Sequence, residues 1–329
     1  MISMEQIDFP ISGSFHEAAI VVPIFNECKN IKALYDRLNS VTSAEMHIRW
    51  RYIFVNDGST DDSYSVLKSL AESDPKICVL DLSRNFGKEA AMTAGVDEAS
   101  EADFLICLDA DLQHPPEYIP EMIALWRSGA EIVVSIRDYT SRQPLLRVLG
   151  SKLFYWIMKR FSGLKIDAQT TDFRLYDKKV LDAFRLTTER ERLFRGIMDW
   201  LGFRRRYLHF EADSRNDGAP RYSYLNLIKL ALNSVFSFSL WPLRVAAILG
   251  WVIVSLSGPL LLWMGCNYLL GGQAGYTGVA IVVVANMFLI GIVLVALGLV
   301  AAYVGKIHIE VANRPLYLLR ERIEKNKRA

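Results

Sequence analysis

Two aspartates follow an apolar run in the segment FLICLDADLQ, residues 104–113. The run is typical of a buried β-strand, and Asp109 and Asp111 come at its carboxyl end. Alternate residues of an extended chain face the same way, so both carboxylates should point into one site. Two carboxylates at a strand end suit Mg²⁺ or Mn²⁺ bridged to phosphate oxygens. A solvated turn is the alternative for this triplet taken alone.

A second junction between an apolar run and polar residues lies in VVPIFNE, residues 21–27. At this position Asn26 and Glu27 could hydrogen-bond the ribose or the base of a ligand. The alternative is a structural role, in which Asn26 or Asn30 forms the N-cap of a following helix.

A third junction lies in FVNDGSTDD, residues 54–62. Here Asp57 is a short acceptor for the N–H of a base, and Gly58 permits close approach of the backbone. Turn formation and helix capping also suit this segment, through Ser59, Thr60 or Asp61.

These junctions belong to a region that alternates between short apolar runs and helical stretches. The candidate strands are Ala18–Val22, Tyr52–Asn56, Ile77–Asp81, Phe104–Asp109 and Glu131–Ser135, and the candidate helices are Asn30–Val41, Asp62–Ser73, Glu89–Ala99 and Ile119–Ser128. Such alternation predicts an α/β fold, in which a mostly parallel, Rossmann-like sheet has helices on both faces. Because ligands of such sheets bind at the carboxyl ends of the strands, the three junctions predict one site.

Two later stretches have an amphipathic character. Residues 137–175 interleave Lys and Arg with Leu, Phe, Tyr and Trp, which predicts a basic amphipathic helix. Such a helix suits a membrane surface or an anionic lipid head group, or packs on the sheet. Ser223–Leu240 has apolar residues at helical spacing, with Lys229 as its only charge. It predicts a helix in the membrane interface, with packing against the core as the alternative.

The most apolar part of the chain is residues 245–305, which are 61 residues without Asp, Glu, Lys or Arg. At roughly 1.5 Å per residue they make about 90 Å of helix, enough for two crossings of a ~30 Å hydrocarbon core and a turn. We expect spans at about 245–270 and 279–304. Arg244 and Lys306 flank this segment and the turn has no basic residue, which predicts both termini in the cytoplasm.

Charge and composition exclude several classes of protein. The apolar segment excludes a purely soluble protein, and the length of 329 residues excludes a small disulfide scaffold. The net charge is +4 after Gly305 and −2 before Val245. The chain therefore lacks the basic domain that is typical of a nucleic-acid-binding protein. The four cysteines lack metal-ligand spacing. The N-terminus does not have the pattern of a signal peptide, so the catalytic part should stay in the cytoplasm.

Taken together, the segments VVPIFNE, NDGSTDD, SRNFGKEAAMTAG and DADLQHPPE resemble family 2 glycosyltransferases with the GT-A fold. With TTDFRLYD, SFSLWPLR and the C-terminal hairpin, the chain is similar over about residues 18–320 to polyprenyl-phosphate glycosyltransferases. These include bactoprenol glucosyltransferases, the related aminoarabinose enzyme and dolichol-phosphate-mannose synthases. The resemblance implies inverting transfer of a sugar from a nucleotide sugar, UDP-glucose or another UDP-hexose, to undecaprenyl phosphate. The product would serve modification of a cell-envelope glycan such as lipopolysaccharide.

The resemblance also implies roles for residues at the donor site. Glu27 and Asp57 would hold the ribose and the uracil. The full set expected to bind the nucleotide sugar is Pro23, Asn26, Glu27, Asp57, Lys88, Asp109 and Arg221. A Mg²⁺ or Mn²⁺ ion on the diphosphate would be held by Asp109, Asp111 and Gln113.

For the acceptor phosphate, the resemblance implies Arg137, Arg147 and Ser151. The residues expected to be catalytic are Asp111, Asp172 and Arg137. We expect Asp172 to orient Arg174 or the acceptor rather than to act as an obligatory base, because a phosphate acceptor is already an anion. The chain departs from the family pattern in the acceptor helix, in TTDFRL and at Pro220, and these departures bear on the identity of the donor more than on the type of reaction.

The sequence therefore predicts a multi-pass protein of the inner (cytoplasmic) membrane. Its expected parts are an extension (1–17), a GT-A domain (18–222), an interface helix (223–240), two transmembrane helices (241–305) and a cytoplasmic basic tail (306–329). The alternatives are a non-catalytic, membrane-anchored protein that binds nucleotide sugars, and an enzyme that uses GDP-mannose or an amino sugar. A homo-oligomer would fit if Gly291 and Gly298 mark a helix–helix face, but they are equally ordinary residues of a span.

Overall fold

A computed structural model of the protein describes residues 15–138, 170–190, 192–211, 263, 266 and 277–325. The N-terminal part alternates strands and helices: β1 (His16–Ile24), α1 (Cys28–Thr42), β2 (Ile48–Asn56), α2 (Ser63–Ser73), β3 (Ile77–Leu82), α3 (Lys88–Glu98), β4 (Phe104–Cys107), a 3-10 turn (Pro116–Tyr118), α4 (Ile119–Arg127) and β5 (Ile132–Asp138). Every strand and helix predicted for this region is present, with ends shifted by four residues or fewer.

The remaining described elements are three strands that extend this sheet and three helices. They are β6 (Thr170–Asp177), α5 (Lys178–Arg185), α6 (Phe194–Trp200), β7 (Arg205–Glu211), α7 (Gly278–Ala312) and β8 (Leu319–Glu324). All eight strands form one sheet in the order β7-β5-β6-β4-β1-β2-β3-β8. The four strands β4, β1, β2 and β3 are parallel neighbours, while β6 and β8 run antiparallel to the strands beside them. The predicted mostly parallel α/β sheet is confirmed.

The hydrophobic core lies on both faces of this sheet. Every residue of β3 and of β4 is buried, which is the pattern of strands that helices cover on both sides. Two separate clusters of buried residues result, one on each face. Because the faces of the sheet are covered, polar side chains of a site have to come from the loops at the strand ends.

One prediction made from composition is wrong at particular residues, and one element was not predicted. The helix predicted over 137–175 is a strand at both ends, since β5 runs to Asp138 and β6 begins at Thr170; residues 139–169 lie outside the described part. The C-terminal tail, for which no element was predicted, contains a strand, because Leu319–Glu324 pairs antiparallel with β3. In both cases pairing with a distant buried strand decides the conformation, and a local count of charges does not register such pairing.

Helix α7 is 35 residues long and contains the second predicted span, 279–304. Several of its apolar side chains are half exposed or more, among them Val282, Val293 and Leu297. Across the described parts of the chain, no helix qualifies by length and apolar character as one that could cross a membrane. Apart from residues 263 and 266, the first predicted span and the predicted interface helix lie outside the described residues.

Candidate active site

The predicted site residues lie on loops at one edge of the sheet. These loops follow the carboxyl ends of β1, β2, β3 and β4, and parallel strands bring such loops together. The first two loops are tied by hydrogen bonds: the Asn26 backbone N–H donates to Ser59 Oγ (3.1 Å), and Asn26 Oδ1 accepts from the Thr60 backbone N–H (2.8 Å). Asn26 has a left-handed backbone (φ 57°), a conformation that Asn tolerates better than most residues.

Glu27 stands directly before α1 and is the N-cap residue of that helix. Its Oε2 accepts a hydrogen bond from Asn30 Nδ2 (2.7 Å), and its backbone N–H donates to Ser63 Oγ (3.0 Å). The alternative in which Asn26 or Asn30 is the N-cap is therefore wrong, because the helix begins at Cys28. Pro23, also predicted to bind the nucleotide sugar, lies within β1 and is partly buried.

Asp57 joins the loop after β2 to the loop after β3. Its two carboxylate oxygens accept from the backbone N–H groups of Phe86 (2.7 Å) and Gly87 (2.9 Å). Burial raises the pKa of Asp57, and the two backbone hydrogen bonds oppose that shift. The side chain thus holds the start of α3 in place, while contact with a base stays a prediction.

The loop that carries the paired aspartates begins earlier than the sequence indicated. Strand β4 ends at Cys107, so Asp109 and Asp111 lie beyond the extended chain, and the argument from strand alternation does not apply to them. The loop closes on itself through buried His114, whose Nδ1 accepts from the Asp109 backbone N–H (3.1 Å). The Oδ1 of Asp111 accepts from the Gln113 backbone N–H (3.2 Å). A turn therefore presents both carboxylates at the sheet edge.

A lysine connects this loop to β6. Lys88 Nζ lies 2.5 Å from Asp109 Oδ1 and 2.6 Å from Asp172 Oδ2. On the other side of Asp172, Arg195 Nη1 lies 3.7 Å from Oδ1. Burial alone would raise the pKa of Asp172, but the charges of Lys88 and Arg195 hold it below its usual range. A carboxylate in this setting is a weak proton acceptor at neutral pH.

Arg174, two residues further along β6, has a different partner. Its fully buried guanidinium forms an ion pair with Asp199 (3.0 Å) and donates to the Thr171 carbonyl oxygen (2.9 Å). Of the two roles expected for Asp172, orienting Arg174 is therefore wrong, because Asp199 pairs with that guanidinium; orienting the acceptor stays a prediction. The pair Arg174–Asp199 ties α6 to the sheet instead.

The residues predicted for the acceptor phosphate are described only in part. Arg137, on β5, donates from Nη1 to Gln113 Oε1 (3.0 Å), which brings a predicted phosphate ligand next to a predicted metal ligand. Arg147, Ser151 and Arg221 lie outside the described residues. The structure thus brings together Lys88, Asp109, Asp172, Gln113 and Arg137.

Three residues near this cluster were missed by the sequence analysis. Arg195 gave no signal, because it stands in a segment with several arginines and its partner is distant in sequence. Glu89 Oε2 accepts from the Phe194 backbone N–H (2.6 Å) and so fixes the start of α6. His114 directly follows the DADLQ segment, and its position there could have indicated a role in that loop.

The donor set of Asp109, Asp111 and Gln113 fits a hard divalent cation. Carboxylate and amide oxygens are the ligands that Mg²⁺ and Mn²⁺ prefer, and all three side chains are partly exposed on one turn. Within the ranges that the structure describes, no group of three or more His, Cys, Asp or Glu residues is placed to hold a metal. A metal here would therefore use two carboxylates, with the amide and non-protein oxygens completing its shell.

The parallel sheet with its polar loops at the carboxyl edge and its paired aspartates defines a GT-A-like α/β domain. Residues 19–185 match the family model described as glycosyl transferase family 2, and the chain belongs to that family. The protein is a glycosyltransferase of family 2, as the sequence motifs predicted.

Relatives extend the similarity along almost the whole chain. An uncharacterized glycosyltransferase of Synechocystis sp. is 38% identical over 92% of this chain and 94% of its own length. A prophage-derived bactoprenol glucosyl transferase of Shigella flexneri is 35% identical over 92% of this chain and 97% of its own length. Among solved structures, glucosyl-3-phosphoglycerate synthase of Mycobacterium tuberculosis is similar with a TM-score of 0.46, at 14% identity over 68% of this chain and 80% of that one.

Proposed function

We propose that the protein transfers a sugar from a nucleotide sugar, UDP-glucose or another UDP-hexose, to undecaprenyl phosphate or a similar polyprenyl phosphate. The observation that carries the proposal is the match to bactoprenol glucosyl transferases over 92% of the chain, which includes the apolar C-terminal segment as well as the GT-A-like domain. Bactoprenol is the polyprenyl carrier in the names of those relatives, so the acceptor class follows from them.

The reaction we propose is a single displacement at the anomeric carbon. An acceptor phosphate is already an anion at neutral pH, so catalysis rests on positioning and on stabilisation of charge. Asp172 supports this scheme because its lowered pKa suits an orienting carboxylate better than a base. Arg137 would hold the acceptor phosphate by charge-assisted hydrogen bonds, together with Arg147 and Ser151. Attack from the face opposite the leaving group inverts the configuration.

The donor would be bound along the loops that follow β1, β2 and β3. We assign Glu27 and Asp57 to the nucleoside, since both stand where these loops meet. A Mg²⁺ or Mn²⁺ ion held by Asp109, Asp111 and Gln113 would neutralise charge on the departing diphosphate.

We further propose that residues 245–305 form a transmembrane hairpin, with the glycosyltransferase domain and both termini on the cytoplasmic side. The proposal is supported by the 61 residues without a charged side chain and by the flanking Arg244 and Lys306. An anchored domain meets a lipid acceptor at a raised effective concentration. Carbonate washing of membranes tests it: retention in the pellet is expected, and release into the wash would contradict the hairpin.

The decisive experiment combines the purified full chain in detergent with undecaprenyl phosphate, Mn²⁺ or Mg²⁺ and a panel of nucleotide sugars. Mass spectrometry of the lipid identifies the product and the donor together. We expect Asp111→Asn to reduce product formation by roughly 10²-fold or more, because the charge at the metal site is lost, while UDP binding measured without added metal is retained. Asp36→Asn, on an exposed position of α1, is the matched control and should keep full activity.

Two outcomes would count against this function. Binding of UDP without product from any donor would favour a protein that only binds nucleotide sugars. Equal activity of Asp111→Asn and the unchanged chain would remove Asp111 from the catalytic set.

A further inference from the structure

The cluster at the sheet edge combines acidic and basic side chains. Asp109, Asp111 and Asp172 are among its acidic members, and Lys88, Arg137 and Arg195 are among its basic members. Two of the basic side chains contact the oxygen atoms that a metal ion would need as ligands. Lys88 is 2.5 Å from Asp109 Oδ1, and Arg137 donates to Gln113 Oε1 over 3.0 Å.

A divalent cation and the ammonium group of Lys88 compete for the same oxygen of Asp109. Both are positive, and like charges a few ångströms apart repel strongly in a partly buried site. Lys88 nevertheless has a second partner, since its Nζ is also 2.6 Å from Asp172 Oδ2. Lys88 can therefore lose its contact with Asp109 and keep its ion pair with Asp172.

We propose that Lys88 is the resident counter-ion of Asp109, and that it is exchanged for a divalent cation when a nucleoside diphosphate enters. The proposal rests on the proposed function, because the diphosphate is the group that would bring the metal. The exchange leaves Lys88 on Asp172, and the same exchange at Gln113 releases one donor of Arg137 for a phosphate oxygen. Lys88 thus keeps Asp172 as its partner, while Arg137 gains a donor for the anionic substrate.

The positive side chains beside the metal ligands determine how the ligands should bind. A metal ion alone adds two positive charges next to Lys88 and Arg137, so its binding without nucleotide should be weak. A nucleotide sugar carries about two negative charges on its diphosphate and offsets those of the metal ion. Metal and nucleotide should therefore strengthen each other's binding, and this coupling should depend on Lys88.

The test measures Mn²⁺ binding to the full chain in detergent, without nucleotide, from the EPR signal of free Mn²⁺. We expect Lys88→Met to bind Mn²⁺ about tenfold more tightly than the unchanged chain, because the competing charge is removed. We expect UDP to enhance Mn²⁺ binding less in this variant than in the unchanged chain. Lys88→Arg keeps the charge and should retain weak Mn²⁺ binding.

Two controls separate this exchange from a general change in charge. Lys68→Met removes a positive charge from an exposed position of α2 and should leave Mn²⁺ binding unchanged. Arg195→Met removes a cation that pairs with Asp172 at 3.7 Å, so its effect on Mn²⁺ binding should be smaller than that of Lys88→Met.

Unchanged or weaker Mn²⁺ binding by Lys88→Met, in a variant with the same melting temperature, would overturn the exchange. Lys88→Gln keeps a hydrogen-bond donor without the charge and carries the same expectation should Lys88→Met fail to fold. If the unchanged chain binds neither Mn²⁺ nor UDP, the proposed function itself fails. If it binds both together and the Lys88 variants match it, only the exchange fails.

Discussion

Gly58 is a residue at which two loops of the site touch. Its backbone is left-handed (φ +64°), and a Cβ atom placed there would lie 2.5 Å from both Arg84 C and Asn85 N. These atoms are backbone and cannot rotate away, so any side chain at this position would push the loops apart. The same two loops are joined by the hydrogen bonds of Asp57. A side chain at position 58 would therefore also disturb these hydrogen bonds.

We therefore predict that Gly58→Ala lowers the melting temperature and weakens UDP binding, by roughly tenfold, since misplaced loops cost about 1–3 kcal/mol. Calorimetry with UDP and thermal melting in detergent measure both effects. Gly129→Ala is the matched control, because Gly129 also has a positive φ (+96°) but nothing within 4 Å of its Cβ position. Equal losses in the two variants would show that backbone strain, rather than contact between the loops, limits position 58.

At the residue scale, the sequence indicated which side chains matter better than it indicated their partners. Asp57, Asp109 and Asp172 were all singled out from motifs. Their observed partners, however, lie on other elements: Phe86 is 29 residues from Asp57, and Lys88 is 84 residues from Asp172. Such contacts depend on how strands are ordered in the sheet, which local spacing does not specify. This is also why Arg174 was assigned to Asp172 rather than to the more distant Asp199.

At the scale of elements, the short helix α6 carries Arg195 into the cluster and is fixed at both of its ends. At its start the Phe194 backbone N–H donates to Glu89 Oε2. Near its end Asp199, which is almost fully buried, pairs with Arg174 (3.0 Å) and with Arg205 (3.3 Å). A helix of seven residues has little stability of its own, so these contacts determine where Arg195 lies.

The contact at Glu89 predicts a pH dependence of stability. Burial raises the pKa of Glu89, and the hydrogen bond from Phe194 only partly opposes that shift. The folded state therefore holds this proton at a pH where the unfolded chain has lost it. The stability that the protonated group contributes is present below the unfolded pKa, ordinarily near 4.3, and is lost as pH rises through the folded pKa.

Glu89→Gln should remove this dependence while keeping an oxygen acceptor for Phe194. We expect the melting temperature of the variant, relative to the unchanged chain, to rise by roughly 2–4 °C between pH 4.5 and pH 7. Glu72→Gln, on an exposed position of α2, should show no such rise. A difference that stays constant with pH would mean that the carboxyl group of Glu89 does not titrate between these values.

Elements with a strong periodic pattern were predictable, and elements made by distant pairing were not. The strands and helices up to β5 follow from apolar runs and helical spacing, which act locally. Strand β6 is inserted antiparallel between β4 and β5, and β8 pairs with a strand about 240 residues earlier in the chain. The sequence LRERIE of β8 alternates only weakly and is rich in charge, so its local pattern did not indicate a strand.

At the scale of the whole molecule, the chain returns to its first domain after α7. Strand β8 covers the edge of β3, and the contacts extend to the loop that follows β3. The Ser83 backbone N–H donates to the Leu318 carbonyl oxygen (2.8 Å), and Arg320 Nη2 donates to the Ser83 carbonyl oxygen (2.7 Å). Arg322 of β8 also forms an ion pair with Glu98 of α3 (2.9 Å). Residues 318–322 thus support the loop after β3, which belongs to the donor site in the proposed function.

This arrangement predicts that β8 contributes to the stability of the glycosyltransferase domain. A chain that ends at Tyr317 loses Leu318 and β8, exposes the edge of β3 and leaves buried Asp81 without its ion pair to Arg320. We expect its melting temperature to fall by at least roughly 5 °C and its UDP binding to weaken, because the loop at Ser83 loses its support. A chain that ends at Glu324 keeps β8 and removes only the residues beyond it, so it should match the full chain in both measurements. If the shorter chain also matched the full one, the loop after β3 would not depend on β8 for its position.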